Sequence, residues 1–147
     1  MDYDPTLPWR EVRGHGFNAH VGPIKFAPMG EKRWCATVVL DERHINVGGV
    51  CHGGFLLSLA DVAMGASTFA AGGNHPCATI QLDGHFLAAA KVGQRLVAEA
   101  IQLRKVRELS FMQCYIWADG SQIMRASGTW KYLASRAPGA TETGAII

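Results

Sequence analysis

One apolar segment, residues 55–71, constrains the fold of this 147-residue chain more than any other feature. The segment reads FLLSLADVAMGASTFAA, contains no proline, follows one glycine pair and ends at another, so it predicts a single long helix. Apolar side chains cover nearly the whole circumference of this helix, which indicates enclosure on all sides. With Asp61 in its middle, the segment is too short to be expected to span a bilayer, and no membrane association is expected.

Strand-like segments flank the helix. Residues 20–28 and 32–41 predict a hairpin, because apolar side chains alternate along the second segment and a Met-Gly-Glu-Lys turn separates the two. After the helix, four segments alternate with period two and short turns join them, which predicts an antiparallel meander. These segments are residues 78–88, 94–104, 109–118 and 122–132. The helix is best buried if the sheet curls around it, so the predicted fold class is α+β.

Length and charge bound the organisation of the chain and its partners. A chain of this length normally forms one domain, and the sequence predicts a flexible leader over residues 1–16, a folded domain over residues 17–133 and a disordered tail over residues 134–147. The net charge of +2 is too small to indicate nucleic acid as a partner.

The cysteines and histidines do not form a metal-binding pattern. The four cysteines lie 16, 26 and 37 residues apart, and the histidines show neither HxxxH nor HExxH spacing, so no metal is expected. Reduced thiols in a cytoplasmic protein are the simpler interpretation, because a chain of this size can fold without disulfides. Cys51 beside His52 could form a thiol nucleophile, but adjacent side chains on a loop usually diverge.

Asp61 is the exception in the apolar helix, because a buried carboxylate is rare unless it is paired or performs chemistry. The preceding loop, residues 44–54, carries four glycines and leads into the first helical turn. There the unpaired N–H groups of Gly53 and Gly54 favour a developing negative charge. Eight residues separate Gly53 from Asp61, about 12 Å along a helix, so one chain does not readily bring them together.

The pattern Asn46-x5-His52-Gly53-Gly54, followed by FLLSLAD, resembles the hotdog-fold acyl-CoA thioesterases of the PaaI-like, phenylacetate-pathway branch, and the resemblance covers about residues 20–133. It implies a sheet wrapped around the central helix, protomers joined edge to edge, and active sites shared across the dimer interface. It further implies an acyl-CoA substrate, no cofactor, and pairing of the homodimers into a homotetramer.

The resemblance also implies roles for single residues. The Gly53 N–H would polarise the thioester carbonyl, and Asn46 would hold that carbonyl or the attacking water. Asp61 of the partner subunit would act as general base or as nucleophile, and Thr79 would position the water or the acid. Taken alone, Asp61 could instead be a structural acid, and Asn46 could only cap a turn.

A second set of residues is expected to bind substrate. His52 is expected to order the loop by hydrogen bonding, and His52 and Gly54 would contact the substrate. Arg104, Lys105 and Arg107 could bind the phosphates of CoA, although a solvated turn explains such a cluster equally well.

Two other functions remain open at this point. A noncatalytic acyl-CoA-binding module would bind the ester without releasing a thiol. A hotdog dehydratase or hydratase would need a histidine and acid pair, whose spacing His44 and His52 do not show.

The sequence also departs from related proteins at Gly65, where one branch carries threonine, and at Asp83-Gly84-His85. The acyl group is open among aryl, short and medium chains.

Overall fold

A seven-stranded antiparallel sheet surrounds one long helix in the computed structural model, which describes residues 1–134. The elements are β1 (Arg10–Glu11), α1 (Phe17–Val21), β2 (Lys25–Gly30), β3 (Arg33–Val39), a 3-10 turn (Glu42–His44), α2 (Gly53–Ala71), β4 (Cys77–Phe86), β5 (Arg95–Val106), β6 (Leu109–Ala118) and β7 (Ser121–Tyr132). The sheet order is β1-β2-β3-β5-β6-β7-β4. The α+β prediction of a curled sheet around one helix is confirmed, and the predicted tail lies, from residue 135, outside the described residues.

Helix α2 forms the core of the molecule. The Nδ1 atom of His52 accepts a hydrogen bond from the Gly54 N–H (2.8 Å) and caps the helix start. Leu59, Ala60 and Met64 are fully buried among residues that β3 to β7 direct inward. At 19 residues, α2 is long and apolar enough to cross a membrane by length and composition. The sheet buries most of this helix, so the prediction of an enclosed core helix is confirmed.

The predicted four-strand meander is corrected by the position of β4. Strands β5, β6 and β7 do follow one another as hairpins, and Asp119 and Gly120 form the β6–β7 turn with positive φ angles of 46° and 81°. Strand β4, however, pairs with β7 at the sheet edge, and β5 pairs with β3. Residues 87–94 therefore cross from one part of the sheet to another. Period-two alternation reports which face a strand buries, not which strand lies beside it.

The first predicted strand is shorter than expected. The strand begins at Lys25, whereas His20 and Val21 lie in α1. Pro23, between α1 and the strand, has no N–H to donate to a neighbouring strand. The Val21 carbonyl instead accepts from Nε2 of buried His44 (2.7 Å). His44 Nδ1 accepts from the Asp41 N–H (2.9 Å), so both ring nitrogens bond to backbone groups.

The amino-terminal segment lies on the outer face of the sheet. Tyr3 stacks on Trp9 with ring centroids 5.2 Å apart, and both pack against a cluster of three residues on β2, β3 and β5. Arg10 and Glu11 pair with β2 at the sheet edge opposite β4. The structure thus places part of the predicted leader in the sheet, while its flexibility in solution stays a prediction.

We expect Gly128→Ala to destabilise the fold, because a Cβ there would lie 2.6 Å from the Gln81 carbonyl oxygen and 2.7 Å from the Trp130 ring. Overpacking of this kind costs about 1–3 kcal/mol in the free energy of unfolding, which urea titration measures. Gly14→Ala is the control, because its Cβ would meet only ordinary contacts of 3.5 Å or longer. Equal stability of the two variants would contradict the packing described for β4 and β7.

Candidate active site

Asp61 and Thr79 form the polar contact between α2 and the edge strand β4. The Thr79 hydroxyl donates a hydrogen bond to Asp61 Oδ1 at 2.7 Å. Burial raises the pKa of the Asp61 carboxyl above its usual value, and the Thr79 hydrogen bond lowers it by a smaller amount. Asp61 is therefore a stronger base than a carboxylate in water, and one of its oxygens is held in place.

A recess of about 270 Å³ opens beside Asp61. Its lining residues come from α1, α2 and β4 and are Phe17, Asn18, Leu57, Ser58, Asp61, Val62 and Leu82. The Ser58 hydroxyl is engaged, because it donates to the Gly54 carbonyl oxygen at 2.8 Å. Sequence reasoning missed Phe17 and Asn18, since a helix of five residues gives no periodic signal and its position beside α2 is decided by tertiary packing.

Asn46 organises the loop before α2. Its Oδ1 atom accepts from the N–H groups of Gly48 (2.8 Å) and Val50 (3.3 Å), and its own N–H donates to the Val50 carbonyl oxygen (2.8 Å). The side chain thus makes the turn that was the alternative interpretation. These bonds also fix the orientation of the amide, and within residues 1–134 its Nδ2 atom donates to no acceptor. Nδ2 is therefore available to a ligand oxygen.

The start of α2 presents one free amide. The Gly54 N–H is occupied by His52 Nδ1, whereas the Gly53 N–H has no acceptor among the described residues. A Cβ at position 53 would lie 3.3 Å from the Phe86 ring, so glycine allows the half-exposed Phe86 to approach the helix start. The Gly53 amide is the group that can meet a negative charge here.

One protomer therefore contains two separate parts of a site. Asp61 and Thr79 share the recess between α2 and β4, whereas Asn46 and Gly53 lie at the helix start and do not line that recess. Gly53 and Asp61 are eight residues apart in α2, about 12 Å along its axis.

The basic residues lie with neither part. Arg104 and Lys105 end β5, and Arg107 follows in the β5–β6 turn, all three exposed. Lys105 Nζ lies 4.7 Å from the centre of the Tyr132 ring, and the Tyr132 hydroxyl donates to the Thr68 carbonyl oxygen (2.8 Å) near the end of α2. The cluster thus lies toward the opposite end of α2 from Gly53 in the same protomer.

Neither thiol chemistry nor a metal is favoured by the described residues. Burial raises the pKa of Cys51 to about 11, so its thiol is protonated near neutral pH, which disfavours a thiolate nucleophile there. Within residues 1–134, no group of three or more His, Cys, Asp or Glu side chains could hold a metal ion.

Comparison with known proteins gives one matching family and related structures. The family model of the thioesterase superfamily matches residues 48–124. A candidate esterase of Pseudomonas aeruginosa is 28% identical over 111 residues, which cover 75% of this chain and 83% of that protein. The PaaI protein of the phenylacetic acid degradation operon of Escherichia coli has a TM-score of 0.73 at 21% identity, covering 80% of this chain and 84% of its own.

A hypothetical thioesterase of Streptococcus pneumoniae, solved with coenzyme A, has a TM-score of 0.70 at 22% identity and covers 78% of this chain and 91% of its own. At these identities the structures establish a shared fold. The family match spans more than half of the chain and includes Gly53, Asp61 and Thr79. The chain therefore belongs to the thioesterase superfamily and has the hotdog fold, as the resemblance predicted.

Proposed function

We propose that this protein hydrolyses an acyl-CoA thioester to a free acid and CoA, in a homodimer whose sites are shared. Each site combines Asn46 and Gly53 with Asp61 and Thr79 of the partner subunit. The observation that carries the proposal is the Asp61–Thr79 hydrogen bond in a half-buried recess, because it gives a positioned carboxylate of raised basicity. Family membership and the coenzyme A bound to the Streptococcus pneumoniae relative support the substrate class.

The chemistry requires stabilisation of negative charge on the thioester oxygen. The Gly53 N–H and Asn46 Nδ2, which have no acceptor in residues 1–134, would donate to that oxygen. One preorganised donor of this kind contributes about 3–4 kcal/mol to transition-state stabilisation. The position of Gly53 at the positive end of the α2 dipole adds to the effect.

Asp61 supplies the base in this mechanism. Because Thr79 holds Oδ1, the second carboxylate oxygen would take a proton from water as that water attacks the carbonyl carbon. Collapse of the tetrahedral intermediate breaks the C–S bond, and the proton passes from Asp61 to the departing thiolate. In the alternative, Asp61 attacks the carbonyl carbon itself, the C–S bond breaks, the CoA thiolate leaves and takes a proton from water, and a mixed anhydride forms. Attack of ¹⁸O-water on the Asp61 carbonyl carbon of this anhydride would release the acid and leave label in Asp61 after a single turnover.

Strand β4 supports the shared arrangement. Its outer edge is unpaired in the described chain, and unpaired strand edges readily join a second sheet. Three apolar side chains along this edge and just beyond are exposed: Ile80 (56%), Phe86 (52%) and Leu87 (56%). A second copy joined at β4 would bury them and could bring the free Gly53 amide of one copy to the Asp61 recess of the other.

Other parts of the expectation stay predictions. These are the tetramer, substrate contacts by His52 and Gly54, and phosphate binding by Arg104, Lys105 and Arg107. Cytoplasmic localisation is likewise proposed, on the ground that all four cysteines are free and buried.

The dehydratase alternative gains no support, because both ring nitrogens of His44 are occupied. A noncatalytic binding module would bind acyl-CoA without thiol release.

Asp61→Asn should abolish hydrolysis while retaining the fold, because the amide oxygen still accepts from Thr79 but cannot take a proton. We expect a loss of about 10²–10⁴-fold in kcat for thiol release from a panel of acyl-CoAs. Asp119→Asn, an exposed acid in the β6–β7 turn, is the matched control and should retain full activity. Full activity of Asp61→Asn would refute the proposed function.

The same variant should be more stable than the wild type at neutral pH. Since the pKa of Asp61 is raised in the folded state, folded protein binds the proton more tightly and loses stability as pH rises through that pKa. Asparagine is uncharged and has no cost of burying a charge. The difference in free energy of unfolding between Asp61→Asn and the wild type should therefore be present at pH 7 and should shrink in acid, below the pKa of an unfolded aspartate.

Thr79→Val should move the acidic limb of the pH profile of kcat/KM to higher pH. The hydrogen bond from Thr79 lowers the pKa of Asp61, so its loss raises that pKa further, because burial then acts without compensation. Since the base works only when ionised, activity is then lost at a higher pH as the solution is acidified. Thr79→Ser keeps the hydroxyl and should retain the wild-type limb. An unchanged acidic limb in Thr79→Val would show that Thr79 does not influence the pKa of Asp61.

Asn46→Asp and Asp61→Asn should each be inactive but should complement each other. Aspartate keeps the oxygen that accepts from Gly48 and Val50, and it replaces the Nδ2 donor with a negatively charged oxygen that repels the developing oxyanion. If sites are shared, co-refolded mixed dimers contain one intact site, and about a quarter of wild-type activity returns. If Asn46 and Asp61 of one protomer worked together, mixing would restore none.

A further inference from the structure

A cavity of about 560 Å³ lies beside the carboxyl-terminal half of α2, between that helix and strands β1, β2 and β3. Its apolar lining includes Val12, Phe26, Trp34, Ala66, Phe69 and Ala70. The charged side chains at the cavity, among them Arg10 and Arg13, are exposed, which places polarity toward its mouth. Its volume is typical of a small-molecule site and about twice that of the recess at Asp61.

The cavity is linked to the recess by contiguous lining residues. Val62 lines the recess and Ala66 lines the cavity, and residues four apart are neighbours on one helix face. A third hollow of about 350 Å³ shares Asn18 with the recess and shares Glu11 and Val12 with the cavity. The three hollows therefore share lining residues over the whole distance from Asp61 to Trp34.

We propose that this series holds the acyl chain of the substrate, and that the chain is a flexible aliphatic one of medium to long length. This inference rests on the proposed function, which places the thioester carbonyl beside Asp61. From Asp61 to Phe69 the chain must cover about 12 Å along α2. An aryl group is too short to cover that distance and ends in the recess, whereas an extended aliphatic chain reaches the cavity and buries its length against Phe26, Trp34 and Phe69.

Ala70→Leu tests the proposal by narrowing the cavity. Ala70 is only partly buried near the helix end, so leucine is compatible with the fold. Ala71→Leu is the matched control, because Ala71 is also partly buried but does not line the cavity. We would measure kcat/KM for acetyl-, octanoyl- and dodecanoyl-CoA. Ala70→Leu should lower the value for dodecanoyl-CoA about tenfold or more and leave acetyl-CoA within about twofold, while Ala71→Leu changes neither.

The outcomes separate this inference from the proposed function. If the wild type hydrolyses acyl-CoAs but Ala70→Leu affects all chain lengths equally or none, the inference is wrong and the function stands. If the wild type releases no thiol from any substrate, the function is wrong, and calorimetry with dodecanoic acid decides about the cavity. The inference about the cavity is supported if the wild type and Ala71→Leu bind dodecanoic acid and Ala70→Leu binds it more weakly. Any other result would overturn the inference.

Discussion

The contact on which the site depends is the one between Asp61 and Thr79, because it is where a buried helix meets the edge of the sheet that wraps it. An apolar helix enclosed on nearly every side has little tolerance for a carboxylate. The Thr79 hydroxyl compensates for part of the lost hydration and fixes one oxygen, while the remaining burial penalty appears as a raised pKa. The same burial that costs stability therefore gives the carboxylate its basicity.

The rest of the structure serves to place groups around that contact. The His52 cap and the glycines around it end the loop with one amide occupied and one free, and the turn made by Asn46 leaves its Nδ2 atom free. The two donors without an acceptor in residues 1–134 lie at and just before the start of α2, and the carboxylate lies two turns along the helix. A single helix cannot close this gap, so the proposed chemistry requires a second copy of the chain.

The sequence predicted the elements better than their arrangement. Helix α2 could be recognised because its residues 55–71 are mostly apolar and bounded by glycines, and Asp61 could be recognised because it is the one charged residue among them. The pairing of β4 with β7 could not, because alternation along β4 carries no record of its neighbour. Phe17 and Asn18 were missed for the same reason, since only the packing of α1 on α2 brings them to Asp61. The dual use of Asn46, whose oxygen serves the loop and whose nitrogen remains free, needed coordinates.

The amino-terminal end of the chain forms one wall of the larger cavity, although the reacting groups belong to other elements. Strand β1 is two residues long, lies at the outer margin of the sheet and contributes Arg10 and Glu11 to that wall. Changes in this short segment can reshape the cavity without moving α2 against β4. On the proposed function, related proteins would acquire different acyl-chain preferences through substitutions in this segment while keeping the Asp61–Thr79 pair.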